Sequence, residues 1–473
     1  MNRPDQNTVL RGLLDEAEMS NTALASAVVA AAAREGIHLG TSTTTVKRML
    51  DGSQPNWPTP RLVAAVLSGR LLRQVSVTEC GFIDTTPAAE DPYDGLRCSG
   101  TLEGTVRTVV ELSGRDMRRR KLLLGSAFSV AAFAEPALFA LTVPPAQSTA
   151  SAGSGQRIGM PDVEVLTEQV DHLVKLSHQF GSGRVREQMV QLLHREANRL
   201  LHGSYSEKTG KALLSAVTRA TRTVGFMTGD VGRHALAQRY YIQALDLAMR
   251  ANDRRNGADI LQEASRLTVR IGENAPTGQD TARHGRQAVA LARAGLTIAN
   301  DVATPALAAK LHGIEARGYA LLGDARQTRH AVLAAQRCYE SASPEDAAQY
   351  YHLNGFGGDL GNCLSRIGDT KQAITQSTTA LNGTETWRAR PLALVQTTLA
   401  ITHLRGRDLE QGAAFGRDAL RTAANLSSTI TTERLRSLHR QIQPLRTNSP
   451  DLRDLDNRLT TFLGRRHSDD ATL

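Results

Sequence analysis

The chain has 473 residues, of which 41% are hydrophobic and only 4% aromatic, and it carries a net charge of +9. Its abundant alanine, leucine and arginine favour helices packed through small side chains, and its length suffices for roughly two to four domains. The four cysteines form no C-x-x-C pair and no histidine cluster has metal-ligand spacing, which argues against a disulfide framework, a metal site or another cofactor. We expect a cytoplasmic protein, because the polar, acidic N-terminus is unlike a signal peptide.

The first 83 residues predict four helices. Residues 7–19, "NTVLRGLLDEAEM", predict a helix with four apolar side chains turned inward, namely Val9, Leu10, Leu13 and Leu14. An alanine-rich second helix follows a cap at Ser20 or Asn21 and ends at Gly36. Thr59-Pro60 opens the fourth helix, "RLVAAVLSGRLL".

The third helix has a first turn made almost entirely of hydroxyl-bearing residues, in "TSTTTVKRMLDG". We expect Thr41 or Ser42 to cap it and Gly52 to end it. Val46, Met49 and Leu50 fall on one face and predict its buried side. The residues predicted to form the binding surface of this helix, towards the partner considered next, are Thr41, Ser42, Thr43, Thr44, Thr45, Lys47 and Arg48.

This order of helices resembles the helix-turn-helix domains of the lambda-repressor-like class. The resemblance implies that the third helix enters the major groove of double-stranded DNA, and that two copies form a homodimer. Hydroxyl groups donate and accept hydrogen bonds at base edges, whereas Lys47 and Arg48 would contact phosphates. Residues 1–83 hold eight Lys/Arg against seven Asp/Glu, however, and a module that docks only on protein is the alternative.

Residues 84–160 change composition repeatedly and predict a linker that carries a basic and an apolar segment. Leu122–Leu141 is long enough for one bilayer crossing, and Arg119-Arg120 before it resembles a twin-arginine export signal. Glu135-Pro136 interrupts the apolar run and opposes a span. The composition therefore favours a connecting element docked on protein over membrane association, with a membrane-tethered regulator as the alternative.

Residues 161–464 contain a repeated pattern of small and apolar residues. The clearest copy, "LGNCLSRIGDTKQAITQSTTAL", spans Leu360–Leu381, and looser copies end near 245, 291, 335 and 420. We expect glycine or alanine in mid-helix, such as Gly361 opposite Ala373, to let two antiparallel helices approach closely. Gly-Asp turns would end one helix and cap the next. The last residues, 465–473, predict a disordered tail.

This pattern resembles the tetratricopeptide repeat, whose helical hairpins stack into an α-solenoid with a concave groove. Together with the N-terminal helices, it resembles a family of actinobacterial transcriptional regulators, most closely in "FMTGDVGRHALAQRYYIQALDLAMRAND". A more distant similarity, to peptide-pheromone-responsive regulators, implies a ligand gripped in the groove by asparagine side chains. Tyr350, Asn354 and Asn362 are the candidate ligand-binding residues, and helix capping is the alternative role of the two asparagines.

The pattern of reactive residues predicts no enzyme. "GSYSEKTGKALL" lacks phosphate-loop spacing, "GFGGDLG" lies within a helical repeat, and no serine-hydrolase, zinc-protease or kinase signature occurs. We therefore expect an all-α protein that negatively regulates transcription in development or secondary metabolism. Its repeats would bind a peptide, a small ligand or a protein partner. The competing class is a helical-repeat scaffold that does not bind DNA.

Overall fold

The computed structural model describes residues 6–34, 39–56, 58–71, 73, 75–82, 95–117, 128–142, 151–153 and 155–471. These residues are almost entirely helical. The two strands among them, β1 (Ser151–Ala152) and β2 (Ser204–Tyr205), form a short antiparallel pair. The fold class is therefore all-α, as predicted. The chain divides into two compact units, residues 1–91 and residues 92–473.

The first unit contains the four predicted helices, α1 (Thr8–Glu16), α2 (Asn21–Arg34), α3 (Thr43–Leu50) and α4 (Thr59–Leu71). Leu10, Leu13 and Leu14 of α1 join one core with apolar residues of the other three helices. Val9 was expected to be buried with them, but its side chain is 53% exposed. The reason is helical geometry, because position 9 lies about 90° round the helix from the centre of the buried stripe formed by Leu10, Leu13, Leu14 and Ala17.

The second unit is a succession of helices. Their bounds are α5 (Leu102–Met117), α6 (Ala134–Thr142), α7 (Met160–Phe180), α8 (Arg186–His202), α9 (Glu207–Asp230), α10 (His234–Arg250), α11 (Arg254–Glu273), α12 (Gly278–Ile298), α13 (Pro305–Leu322), α14 (Ala325–Glu340), α15 (Pro344–Tyr350), α16 (Leu353–Arg366), α17 (Thr370–Asn382), α18 (Ala389–Arg405), α19 (Leu409–Ala423), α20 (Thr429–Ile442) and α21 (Pro450–Ala471). Consecutive helices pack most closely, above all α9 with α10, α11 with α12, α13 with α14, α16 with α17 and α18 with α19.

Small residues bring paired helices together, as the sequence predicted. A Cβ atom added to Gly361 in α16 would lie 2.0 Å from Ser377 Oγ and 3.2 Å from the Ala373 carbonyl oxygen in α17. A Cβ added one turn earlier, at Gly357, would lie 2.9 Å from Ala380 Cβ. The contact therefore advances along one helix while it retreats along the other, so the pair is antiparallel.

The Gly-Asp turns have the predicted local chemistry at Gly323-Asp324. Gly323 has a φ of 75°, a left-handed conformation that glycine adopts without steric cost, and it ends α13. Asp324 begins α14, because its Oδ1 accepts a hydrogen bond from the Gln327 amide at 2.9 Å. Asp369, in the corresponding turn before α17, makes no such cap hydrogen bond.

The stretch predicted as a linker, residues 84–160, contains helices that belong to the second unit's core. In α5, Val106, Val109 and Leu112 are buried against α8 and α10. Thr105 Oγ1 donates to the buried Asp246 carboxylate at 2.7 Å. Changes of composition suggested a linker, but the apolar residues of α5 recur every three residues and form a helical stripe that packs.

The apolar segment docks on protein where it is described, from Phe128 to Thr142. Phe133 and Ala140 are buried in a core with residues of α10, α11 and α12. Gln238 of α10 exchanges two hydrogen bonds with the Ser129 backbone, at 3.2 and 2.6 Å. Among the described residues, no helix has the length and apolar character needed for a membrane crossing. The twin-arginine pattern at 119–120 lies outside the described residues.

The predicted disordered tail is helical as far as it is described, since α21 continues to Ala471. Arg466 ties this helix to the segment that follows α19, because its guanidinium donates to the carbonyl oxygens of Ala424 and Leu426 at 3.3 and 2.6 Å. The last residues, "RRHSDDATL", are mostly polar and charged and show no apolar periodicity, so the sequence did not predict that the helix continues past residue 464.

Candidate DNA-binding helix and ligand cavity

The start of α3 is held by two of its hydroxyl groups. Ser42 Oγ accepts from the Thr45 amide at 3.3 Å, and Thr45 Oγ1 accepts from the Ser42 amide at 3.3 Å. This reciprocal capping box satisfies backbone donors that a helix start leaves unpaired. The structure thus selects Ser42, rather than Thr41, as the cap.

The two sides of α3 differ sharply in burial. Val46, Met49 and Leu50 pack into the core of the first unit. Thr43, Thr44, Lys47 and Arg48 are exposed, and Thr41 and Thr45 are half-buried. Thr43 Oγ1 lies 3.2 Å from Thr22 Oγ1 of α2, which ties the first turn of α3 to its neighbouring helix.

The exposed side of α3 suits an anionic, hydrogen-bonding surface. Thr44, Lys47 and Arg48 are spaced at i, i+3 and i+4 and therefore share one face. The backbone amides of a helix start also attract a phosphate group. This face combines a hydroxyl that can donate or accept with two cations that can only donate.

The second unit encloses a cavity of about 430 Å³ between helices α7, α9, α11, α13, α16, α18 and α20. Its volume falls within the range of small-molecule sites. The structure brings all three predicted ligand-binding residues, Tyr350, Asn354 and Asn362, to its wall. Asn354, Gly358 and Asn362 are four residues apart in α16 and therefore line one side of that helix.

The two asparagines have different surroundings. Asn354 Oδ1 accepts from the Gly355 amide at 2.7 Å within the first turn of α16, although His352 occupies the cap position. Asn362 is in mid-helix and does not cap. Its amide lies against the Arg434 guanidinium, from which the amide oxygen accepts when turned towards it.

One side of the cavity is lined by charges that neutralise each other. Asp359 accepts two hydrogen bonds from Arg266, at 2.9 and 2.8 Å, one from Arg317 at 3.0 Å and one from Tyr351 at 2.8 Å. Burial opposes ionisation of this carboxyl, but the two guanidinium groups outweigh it and lower the pKa of Asp359. Glu273 extends the network, with Oε1 3.2 Å from Arg317.

A second buried carboxylate lies behind this wall. Asp259 accepts from Arg222 and, at 2.5 Å, from Lys310 Nζ. Although burial alone would raise it, these two cations lower the pKa of Asp259 to about 2. Both cations are therefore committed to a carboxylate of the protein.

Arginines around α18 are less fully compensated. Arg388 and Arg390 are only 8% and 5% exposed at the start of this helix, and burial lowers the pKa of both. Burial also lowers the pKa of Arg405 and Arg434 near its other end, where neighbouring arginines add repulsion. Among the described residues, the cavity wall carries ten lysine or arginine side chains and four carboxylates, and two of the ten cations pair with Asp259 behind the wall. Positive charges therefore remain in excess.

The sequence prediction missed these arginines. In "TWRARPLALV", Arg388 and Arg390 stand at the start of a helix, where the helix dipole disfavours cations. A residue pattern that opposes a local preference often marks a functional site, so this conflict was the available signal.

The described residues contain no group of three or more His, Cys, Asp or Glu side chains that could hold a metal ion.

Comparison with known proteins concerns the first unit. Residues 10–83 match the family model of the SP15 N-terminal domain, a stretch that begins within α1 and ends after α4. No curated protein matches the chain. The match covers only a small part of the 473 residues, and it concerns the same part of the chain as α3.

Proposed function

We propose that the protein is a sequence-specific DNA-binding transcriptional regulator whose first unit binds double-stranded DNA through α3. The observation that carries this proposal is the exposed face of Thr44, Lys47 and Arg48, opposite the buried Val46 and Met49. In this role the N-terminal residues of α3 contact base edges, while the two cations contact phosphates and orient the unit.

The second unit is proposed to be the sensing part of the regulator. Its paired antiparallel helices, close approaches at glycine and Gly-Asp turns support tetratricopeptide-like hairpins arranged as an α-solenoid. The cavity between them would take a small ligand or a peptide end. By resemblance to the actinobacterial regulators, the protein would act as a cytoplasmic homodimer and a negative regulator of development or secondary metabolism.

The DNA-binding proposal is tested by mobility shift of genomic fragments with the full-length protein at two salt concentrations. Lys47→Ala and Arg48→Ala should weaken binding to all fragments, and each should lower the salt slope by about one. Arg11→Ala is the matched control, because it removes one exposed cation from α1. Thr44→Val, which keeps the side-chain volume but removes the hydroxyl, should change the preference among fragments.

Unchanged affinity and slope in both cation variants would refute the placement of DNA on α3. Absence of any salt-dependent shift with the parent protein would instead favour the competing function, a helical-repeat scaffold for protein partners. The near-balance of charge in residues 1–83 is the observation that favours that second candidate.

A further inference from the structure

The cavity of the second unit has a charge pattern that specifies its ligand more narrowly than its volume does. We propose that it binds a small organic anion, bearing a phosphate or carboxylate group, with the charged group at Arg388 and Arg390 and the body along α16 and α18. This inference supplies the ligand class for the sensing role proposed above. It concerns the second unit alone, so its test requires no DNA.

The two arginines are buried but incompletely paired. The Nε atoms of Arg388 and Arg390 have no hydrogen-bond partner among the described residues. A buried guanidinium with an unused donor is costly unless a ligand or water satisfies it. Both side chains belong to the cavity wall, so an anion there could accept from both.

The groups nearest Arg390 do not fully neutralise its charge. Arg390 donates to His178 Nδ1 at 2.9 Å, and this pairing needs a neutral imidazole, which provides no negative charge. The Asp230 carboxylate is 4.0 Å from Arg390, but it also accepts from Ser428 Oγ at 2.6 Å and from the Ser182 amide at 3.2 Å. Its charge is therefore shared with other donors.

Arg388 has an even weaker protein partner. Glu385 Oε2 is 3.7 Å away, and the Glu385 side chain is 58% exposed to solvent. Water screens this exposed carboxylate, so at this distance it compensates the buried Arg388 guanidinium only weakly. The neighbouring His352 also lines the cavity, and burial and the Arg388 charge lower its pKa, so it stays neutral near pH 7. Cations thus predominate at this end.

The rest of the wall accommodates the body of such a ligand. Leu394, Val395 and Ile401 of α18 provide apolar surface, and Asn354 and Asn362 of α16 provide amide groups. Phe226 closes the wall beside the arginines, since the Arg390 guanidinium lies 4.5 Å from its ring centre. The neutralised network around Asp359 adds no net attraction, so the charged group of the ligand is expected at Arg388 and Arg390, whose Nε atoms have no partner among the described residues.

The test is isothermal titration calorimetry of the full-length protein with pyrophosphate and with citrate, at matched ionic strength and with glycerol as an uncharged control. Saturable one-to-one binding of at least one anion supports the proposal. Tighter binding of pyrophosphate would indicate a phosphate-bearing ligand, and tighter binding of citrate a carboxylate-bearing one. Arg388→Gln and Arg390→Gln should each weaken binding about tenfold or more. Arg388→Lys should restore part of the affinity, because it keeps the charge but not the planar donor set.

Arg421→Gln is the control, since it removes one cation of the same unit that pairs with Asp418 and does not line the cavity. Thermal unfolding without ligand checks that each variant is folded, and Arg388→Gln decides the outcome if Arg390→Gln does not fold. No saturable binding of either anion would overturn the proposal, as would equal affinity in the parent, Arg388→Gln and Arg421→Gln. Such a failure leaves the mobility-shift result unaffected, so the two proposals fail separately.

Discussion

The close approach of α16 and α17 at Gly361 offers a sharp test of the helix pairing. In Gly361→Ala, the added Cβ would meet Ser377 Oγ at 2.0 Å and the Ala373 carbonyl oxygen at 3.2 Å. Ser377 is fully buried, so it has little room to move. Overpacking of this kind costs about 1–3 kcal/mol, and the better helix propensity of alanine returns about 0.5–1 kcal/mol. We expect a net loss in the free energy of unfolding of up to about 2 kcal/mol.

Gly464→Ala is the matched control, because a Cβ added to this glycine of α21 would have no described atom within 4 Å apart from the adjacent backbone of its own helix. Its free energy of unfolding should rise by about 0.5–1 kcal/mol, because alanine favours a helix more than glycine does and nothing opposes the added methyl group. The difference between the two variants, measured by guanidinium unfolding followed by circular dichroism, isolates the steric cost. Removing the obstructing hydroxyl in Gly361→Ala/Ser377→Ala should recover most of it, since Ser377 Oγ has no hydrogen-bond partner among the described residues. Equal stabilisation by Gly361→Ala and Gly464→Ala would refute the pairing.

Three further variants probe other contacts. Burial and the Arg270 charge lower the pKa of His234 to about 4. As the pH falls, the unfolded chain therefore binds a proton at this histidine before the folded chain does, and the free energy of unfolding should decrease by roughly 1–3 kcal/mol between pH 6.5 and pH 4. In urea unfolding, His234→Gln should make stability less dependent on pH over this range. Asp359→Asn removes the charge that pairs with Arg266 and Arg317, although Arg317 keeps its contact with Glu273, and it should cost about 3–5 kcal/mol. Loss of the exposed cap in Asp324→Ala should cost about 1 kcal/mol, and similar chemical-denaturation midpoints for the two variants would contradict this. Phe133→Ala should cost about 3–5 kcal/mol and speed proteolysis within Phe128–Thr142. An unchanged digestion rate there would show that the apolar segment is not docked.

Local sequence signals determined much of the helical framework. The three-and-four spacing of Leu10, Leu13 and Leu14 and of Val46, Met49 and Leu50 indicated the buried sides of α1 and α3, because helical periodicity is a property of neighbouring residues. The same reasoning identified the exposed hydroxyl face of α3. The glycine offsets in the Leu360–Leu381 copy likewise predicted which residues of α16 and α17 meet.

Boundaries and burial depended on partners distant in sequence. The apolar stripe of α5 indicated that one side of this helix is buried, but it did not indicate the partners, because α8 and α10 are distant in sequence. Glu135 and Pro136 suggested only that the apolar segment is a poor membrane span, whereas the pairing of Ser129 with Gln238, more than a hundred residues away, decided where it docks.

The cavity shows most clearly the difference between what local sequence predicts and what tertiary contacts decide. Asn354 and Asn362 could be placed on one side of α16 from their spacing alone. The charge pattern around them could not, because Arg266 and Asp359 are 93 residues apart and Arg390 and His178 are 212 residues apart. Sequence determines which charges a chain carries, but the balance between a neutralised pair and an unsatisfied cation is set by distances of a few ångströms. Only the tertiary structure fixes those distances, since they depend on how several helices pack together.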